Sequence, residues 1–314
     1  MRYASIGGQA VIEGVMMRFG DEYAVAVRKP DKEIEVKRAP YKSLVSRLHV
    51  GQIPILRGMF SFLDSMILGI STLTYSASFY DDEEEEGSEK AQSGDKKEKD
   101  QKADSSFGLV MALTVVIAIA IAVFLFMLTP YFISTLFGRL IKSSVLLAVI
   151  EGIVRLAVFL LYMIAISRTE SMQRVFMYHG AEHKTISCIE HGMELTPENA
   201  MKCSRLHKRC GTSFLLFVML VSIVCFMFIR TDSHAMRIVL RLVLVPVIAG
   251  ISYEFIRLAG KTDSTASDIL SAPGLMLQKY FTTREPDLDM LEVAIASIEA
   301  IYDWRGFQKG REGL

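Results

Sequence analysis

The chain has 314 residues with 35 basic against 35 acidic side chains, so its formal net charge at pH 7 is zero. Residues that are 51% hydrophobic and still 22% charged must keep their apolar side chains in runs, which points to a membrane protein rather than an ordinary soluble one. The charge balance, with no face that interleaves basic and aromatic residues, argues against nucleic-acid binding. Four cysteines without regular spacing make no disulfide framework, and Met1 to Gly20 lacks the layout of a signal peptide.

In chain order, residues 1–50 read as a cytoplasmic β-rich segment. Tyr23 to Lys29 and Ile34 to Arg38 are short β-favouring runs joined across Pro30 and Asp31, which suit a hairpin turn. Upstream, Gly7, Gly8 and Gly14 bracket Q-A-V-I-E-G-V-M-M-R, and glycines beside a buried strand point to a bulge or a close backbone approach. Glu13 reads as a carboxylate paired with Arg18 or facing water, with a role in a site as the alternative. Residues 51–80 contain the apolar run Pro54 to Tyr80, interrupted by Arg57 and Asp64. Its two charges and many Ser, Thr and Gly residues favour an interfacial or re-entrant helix over a crossing. Residues 81–106, acidic and then rich in Lys, Ser and Gly, cannot bury enough to fold and read as a disordered linker.

Four membrane-length spans follow: Phe107 to Phe137, Ser143 to Ile166, Thr212 to Ile229 and Met236 to Leu258. Each suffices for about 30 Å of hydrocarbon. The short connections Arg139 to Lys142 and Arg230 to Ala235 make them two helical hairpins, residues 107–167 and 212–258. Glu151 and Arg155, four apart inside a span, read as a structural ion pair, with a transport or proton path as the alternative. Basic residues gather in the loop from Arg168 to Cys210, near the N-terminus and in the tail, which places both termini and that loop in the cytoplasm. In the tail, residues 259–314, Pro286 opens a helix whose Leu288, Leu291, Ile295, Ile298 and Tyr302 form one apolar stripe. The expected architecture is membrane α-helical. It has about four transmembrane helices and a small cytoplasmic α+β portion, built from the N-terminal β-hairpin, motif-bearing helices and the C-terminal amphipathic helix.

The chemistry is concentrated in the cytoplasmic loop 168–211. Tyr178 to Thr185 reads Y-H-G-A-E-H-K-T, and H-x-x-E-H is the inverted zinc-hydrolase motif. On a helix from about Glu170 to Glu190, ending at Gly192, His179, Glu182 and His183 share one face. Both imidazoles can then reach one metal ion, and the carboxylate beside them can activate water. The bland alternative is a polar helix with solvated histidines. It is weakened by clustering, since four of the six histidines (His179, His183, His191, His207) fall in this loop with Cys188, Cys203 and Cys210. Thr196 and Pro197 read as the N-cap and first residue of a second helix ending near Arg209, which would return His207 and Cys210 to the first pair. The candidate ligands of a divalent metal, most naturally zinc, are therefore His179, His183 and His207, with Glu182 as general base. Cys210, Glu190 and Glu254 compete for a further position, Glu254 having pairing with Arg257 or Arg155 as its alternative. Three ligands and a water would mean catalysis, and a fourth from Cys210 a closed structural site; the spacing leaves both open.

Four segments occur in order and together resemble the YqhQ-like family of bacterial membrane proteins. They are G-G-Q-A-V-I-E-G-V-M-M-R (Gly7 to Arg18), Y-H-G-A-E-H-K-T, H-K-R-C-G-T-S-F (His207 to Phe214) and A-P-G-L-M-L-Q-K-Y-F-T-T-R-E-P (Ala272 to Pro286). The family has no known function and is described as predicted metal-dependent enzymes. Where it usually has proline in H-P-R-C-G-T-S, this chain has Lys208, which leaves the candidate ligands intact. The resemblance implies a bacterial plasma membrane location and ties Gly7 to Arg18 to the motif loop, adding Glu13 and Arg18 to the candidate site. The leading expectation is a metal-dependent hydrolase acting at the cytoplasmic face. Its alternatives are a scaffold or assembly factor with a structural metal and, third, a small transporter. The lipid bilayer is the one partner implied, and protein partners and homo-oligomers stay open.

Overall fold

The computed structural model describes residues 3–86, 113–138, 140–229, 231, 233–259 and 265–310. Most of the expected acidic linker, and the start of the span expected from Phe107, lie outside the described residues. The chain divides into two compact units, one of Met1–Asp81, Met163–Val221 and Val243–Leu314, the other of Asp82–Tyr162 and Ser222–Leu242.

In the first unit the glycine-rich segment joins the expected hairpin in one antiparallel meander of β1 (Gly7–Val11), β2 (Gly14–Phe19), β3 (Glu22–Arg28) and β4 (Ile34–Pro40), in that order. The sheet is buried on both faces, which explains why β2 and β3 read as nearly continuous apolar runs. Val15, Met17, Ala24 and Ala26 face one core, and Val11, Met16, Val25 and Val27 face another. The edge strand β4 carries exposed Glu35, Lys37 and Arg38, charges that discourage pairing with another chain.

The helices are α1 (Leu44–Arg47), α2 (Leu56–Glu86), α3 (Leu113–Phe137), α4 (Ser144–Ile166), α5 (Glu170–Glu190), α6 (Pro197–Met201), α7 (Gly211–Met227), α8 (His234–Ala259), α9 (Thr265–Leu277), α10 (Leu288–Glu299) and α11 (Trp304–Gln308). The motif helix α5 has the expected bounds, and Gly192 follows it at φ +72°. Thr196 caps α6 through Asn199 N–H, also as expected, but α6 ends at Met201 rather than near Arg209. The reason is Lys184, whose buried ammonium donates to the carbonyls of Met201 at 2.8 Å and Cys203 at 2.9 Å. The backbone then turns at Ser204, whose hydroxyl accepts from Leu206 N–H. In α10 the buried stripe is Met290, Leu291, Ala294 and Ile298, while Leu288 stays 45% exposed. This face closes the first core against β2, β3 and α5.

Among the described residues four helices are long and apolar enough to cross a bilayer: Leu56–Tyr80, Leu113–Phe137, Val145–Ile166 and His234–Leu258. The set differs from the expected one in a single member. Gly211–Met227, at 17 residues, spans only about 25 Å, whereas Leu56–Tyr80 qualifies by length and composition. Both charges that counted against that segment are paired inside the protein. Asp64 is 1% exposed and accepts from Leu44 N–H and the Tyr41 hydroxyl. Arg57 holds Glu254 of α8 in two hydrogen bonds, so Glu254 pairs with neither Arg257 nor Arg155. From Leu68 onward α2 covers the second face of the sheet, with Tyr75, Phe79 and Tyr80 packed against the cluster of Val11, Met16, Val25, Val27 and Leu68.

In the second unit α3 contains a π-helical turn, Phe124–Leu128, directly before Thr129 and Pro130. Proline has no N–H to continue the α-ladder, and the extra residue absorbs the mismatch. The helices of this unit expose Val116, Ile121, Phe124, Ile153, Leu161 and Val239, outward apolar faces that fit insertion in a bilayer. The Glu151–Arg155 pair is present and buried, as expected, and Arg241 joins it from α8.

One close crossing decides whether the motif helix can be built. Arg284 N–H donates to the Phe176 carbonyl at 2.8 Å, drawing the segment after α9 across α5 at Gly180. A Cβ at Gly180 would stand 2.0 Å from the Arg284 carbonyl oxygen, a backbone atom that cannot swing aside. Gly180→Ala should therefore destabilise the protein by about 2 kcal/mol, read as a lowered Tm in thermal unfolding of the detergent-purified chain.

Candidate metal centre

His179 and His183 lie one helical turn apart on α5, with ring centroids 4.4 Å from each other. Each spends its Nδ1 on a backbone carbonyl from a different segment: His179 on Thr282 at 2.7 Å, His183 on Arg205 at 2.6 Å. A carbonyl can only accept, so in both rings Nδ1 carries a proton and Nε2 is the nitrogen left for another partner. The His179 Nε2 lies 3.1 Å from the Cys210 sulfur. Ligating atoms of His179, His183 and Cys210 all fall within 4.8 Å of one another, and all three residues are buried. Cys210 immediately precedes α7, and Thr212 N–H donates to its sulfur at 3.4 Å.

The segments that supply the two carbonyls are themselves held. Arg205 donates through its guanidinium to the Thr283 carbonyl at 2.9 Å and hydroxyl at 2.6 Å. Gln278, fully buried, accepts from His207 N–H and donates to the His207 carbonyl, both at 2.9 Å. Glu182, 5% exposed, stands on the same face of α5, its carboxylate 4.0 Å from the His179 ring. Gly8 of β1 presses against it, since a Cβ there would stand 2.8 Å from Glu182 Cγ.

The electrostatics follow from this crowding. Burial alone would raise the Cys210 thiol, but the imidazoles of His179 and His183 hold it well below its ordinary value. Burial alone would lower His179, but the Cys210 sulfur and the Glu182 carboxylate push it up to about 9. Glu182 is raised by burial, partly offset by the histidines.

The other candidate residues stand elsewhere. His207 lies beside the trio, its ring 5.7 Å from that of His183, but its Nε2 faces Glu190 at 3.3 Å. Glu190 is fully engaged, accepting also from Ala4 N–H and Arg209. Glu13, at φ 48° in the β1–β2 turn, pairs with Arg174 rather than Arg18 and accepts from the Tyr178 hydroxyl at 3.2 Å. It thus steadies the turn of α5 that leads into His179. Arg18 lies away from the trio, over the Tyr41 ring, and Glu254 is held by Arg57.

Residues 53–304 match the family described as protein of unknown function DUF1385. The chain belongs to this family. It is also 35% identical over 301 residues, 94% of this chain and 91% of the relative, to the uncharacterized protein YqhQ of Bacillus subtilis (strain 168). No solved structure matches the chain. In this DUF1385 chain, sequence reasoning missed the carbonyls of Thr282 and Arg205 and the clamp at Gln278. Thr282 and Gln278 both sit in the Ala272 to Pro286 segment, whose run of polar residues after an apolar helix was the available signal.

Without a bound cation the Cys210–His179 pair sets a defined pH response. Taken singly, the raised His179 gives stability that is complete below about 6.5 and lost as pH rises through about 9. The depressed Cys210 gives stability that is complete above 9.0 and lost as pH falls through its lowered value. While Cys210 stays ionised the two trends oppose each other up to about 9, and below about 6.5 the unfolded chain binds more protons on the pair, so stability falls as pH falls. Chelator-treated wild type should lose more Tm between pH 7 and 5 than Cys210→Ala does.

Proposed function

We propose that the chain is a membrane-associated, metal-dependent hydrolase whose centre is formed by His179, His183 and Cys210, with Glu182 as its general base. The observation that supports this reading most is the commitment of both Nδ1 protons to backbone carbonyls, which leaves the two Nε2 atoms beside one sulfur, where a cation can take the place of a proton. Two imidazoles and a thiolate are a donor set that zinc favours, and three protein ligands leave a position for substrate or water. A divalent ion held there would supply Lewis acidity and make a nearby water easier to ionise.

The chain's own residues divide the remaining work. Glu182, buried and raised, is a stronger base than an exposed carboxylate and is suited to take a proton from water and to return it to a leaving group. Thr282 and Arg205, through their carbonyls, fix the ring orientation of the two ligands. Arg174, Glu13 and Tyr178 brace the first turn of the motif. On this reading His207 and Glu190 orient the loop that delivers Cys210. The reading includes a bacterial plasma membrane location with cytoplasmic termini, supported by helices apolar enough to insert in a bilayer, and a bond in a peptide, ester or phosphoester as the target. A second reading, a Cys210 thiolate nucleophile with His179 as its base, is favoured by the 3.1 Å contact and by the position of Cys210 ahead of α7.

Elemental mass spectrometry on detergent-purified protein separates the readings. About one zinc per chain is expected in wild type, Glu182→Gln and His207→Ala, with a loss of at least tenfold in His179→Ala and Cys210→Ser. Metal-free wild type that is alkylated at Cys210 would transfer the role to the thiolate. Metal-free and unreactive wild type would remove both.

A further inference from the structure

The second unit contains a cavity of about 440 Å³ whose lining includes Tyr131, Lys142, Glu151, Thr231, Arg237 and Arg241. Its wall residues lie near the ends of α3 and α7 and the starts of α4 and α8, where the two helical hairpins turn. Three cations and one carboxylate are found among these lining residues. The carboxylate is already spent, because Glu151 accepts from Arg155 and from Arg241, both at 2.7 Å.

Arg241 is the informative residue. It is 5% exposed, and one guanidinium nitrogen holds Glu151. Its Nε and Nη1 are buried and, among the described residues, have no hydrogen-bond partner. The Tyr131 and Phe226 rings lie 4.6 and 5.0 Å from its guanidinium, which offsets some of the charge but satisfies none of the N–H groups. Arg237 repeats the pattern: it donates to the Thr231 carbonyl, and its Nε is buried with no partner among the described residues. Buried guanidinium N–H groups left without acceptors are costly, and in an apolar helix unit a surplus of cations is costlier still. An oxyanion with several acceptor oxygens removes both costs at once.

We propose that this cavity binds a phosphate group, held by Arg241, Arg237 and Lys142 and separate from the histidine–cysteine centre. The phosphate can belong to a lipid headgroup or to a soluble ion, because the recognising chemistry is the same. Full-length protein in detergent is tested by native mass spectrometry with added phosphatidylglycerol and, separately, by calorimetric titration with inorganic phosphate. The variants are Arg237→Gln and Arg237→Lys, with Lys42→Gln as an exposed control, and helix content by circular dichroism checks that each folds. Wild type and Lys42→Gln should retain ligand, and Arg237→Gln should bind at least about tenfold more weakly, with partial recovery in Arg237→Lys. Retention of the phospholipid alone assigns a headgroup site, and binding of inorganic phosphate assigns a soluble anion. Binding of neither by wild type, or equal binding by a folded Arg237→Gln, overturns the proposal.

Discussion

The donation of two imidazole protons to two backbone carbonyls is the constraint on which the first unit depends. Each bond is worth only about 1 kcal/mol net, far too little to hold a fold, but it dictates geometry. To present the Thr282 carbonyl to His179, the chain must return across α5, and it does so where Gly180 leaves no side chain in the way. To present the Arg205 carbonyl to His183, α6 must stop early, and Lys184 stops it by taking two carbonyls. A helix that reads as merely polar is consequently buried along most of its length from Tyr178 to Glu190.

Much of this was legible in the sequence wherever the cause is local. The bounds of α5, the cap at Thr196 and the β3–β4 hairpin follow from turn and capping residues that lie next to the elements they delimit. The glycines of β1 and β2 were read as sites of close approach, and Gly8 is one, pressed against Glu182. What escaped the sequence has a partner far away in the chain. Glu13 finds Arg174 and Glu254 finds Arg57, each across more than 150 positions, and spacing alone offers nearer basic residues to both. Spacing favoured His207 as the third ligand and left Cys210 to compete for a further position, for the same reason. They are three residues apart, and only the irregular course of the loop after Met201 turns the sulfur toward His179 and the imidazole toward Glu190.

Charge inside apolar helices is treated in two ways. In α2, Arg57 and Asp64 are fully engaged by groups of the first unit, so the helix behaves as part of the protein core on that side. In the second unit the account does not close: one carboxylate serves two guanidinium groups, and N–H groups remain over. A structural pair of Glu151 with Arg155 would have needed no third charge. The presence of Arg241 is what turns a stabilising contact into a binding surface.

β1 links these themes, because one strand touches both the candidate centre and an apolar helix. Gly8 meets Glu182, and its neighbour Gln9, on the opposite face of the sheet, meets Gly69 of α2. Both approaches are so close that neither glycine has room for a methyl group without displacing its neighbour. Strand β1 cannot shift toward α2 without drawing away from Glu182, nor toward Glu182 without lifting off α2. The position of the Glu182 carboxylate is thus fixed by the seating of a helix long and apolar enough to enter the bilayer. The sheet, which contributes no side chain to the histidine–cysteine trio, sets where the carboxylate stands relative to it.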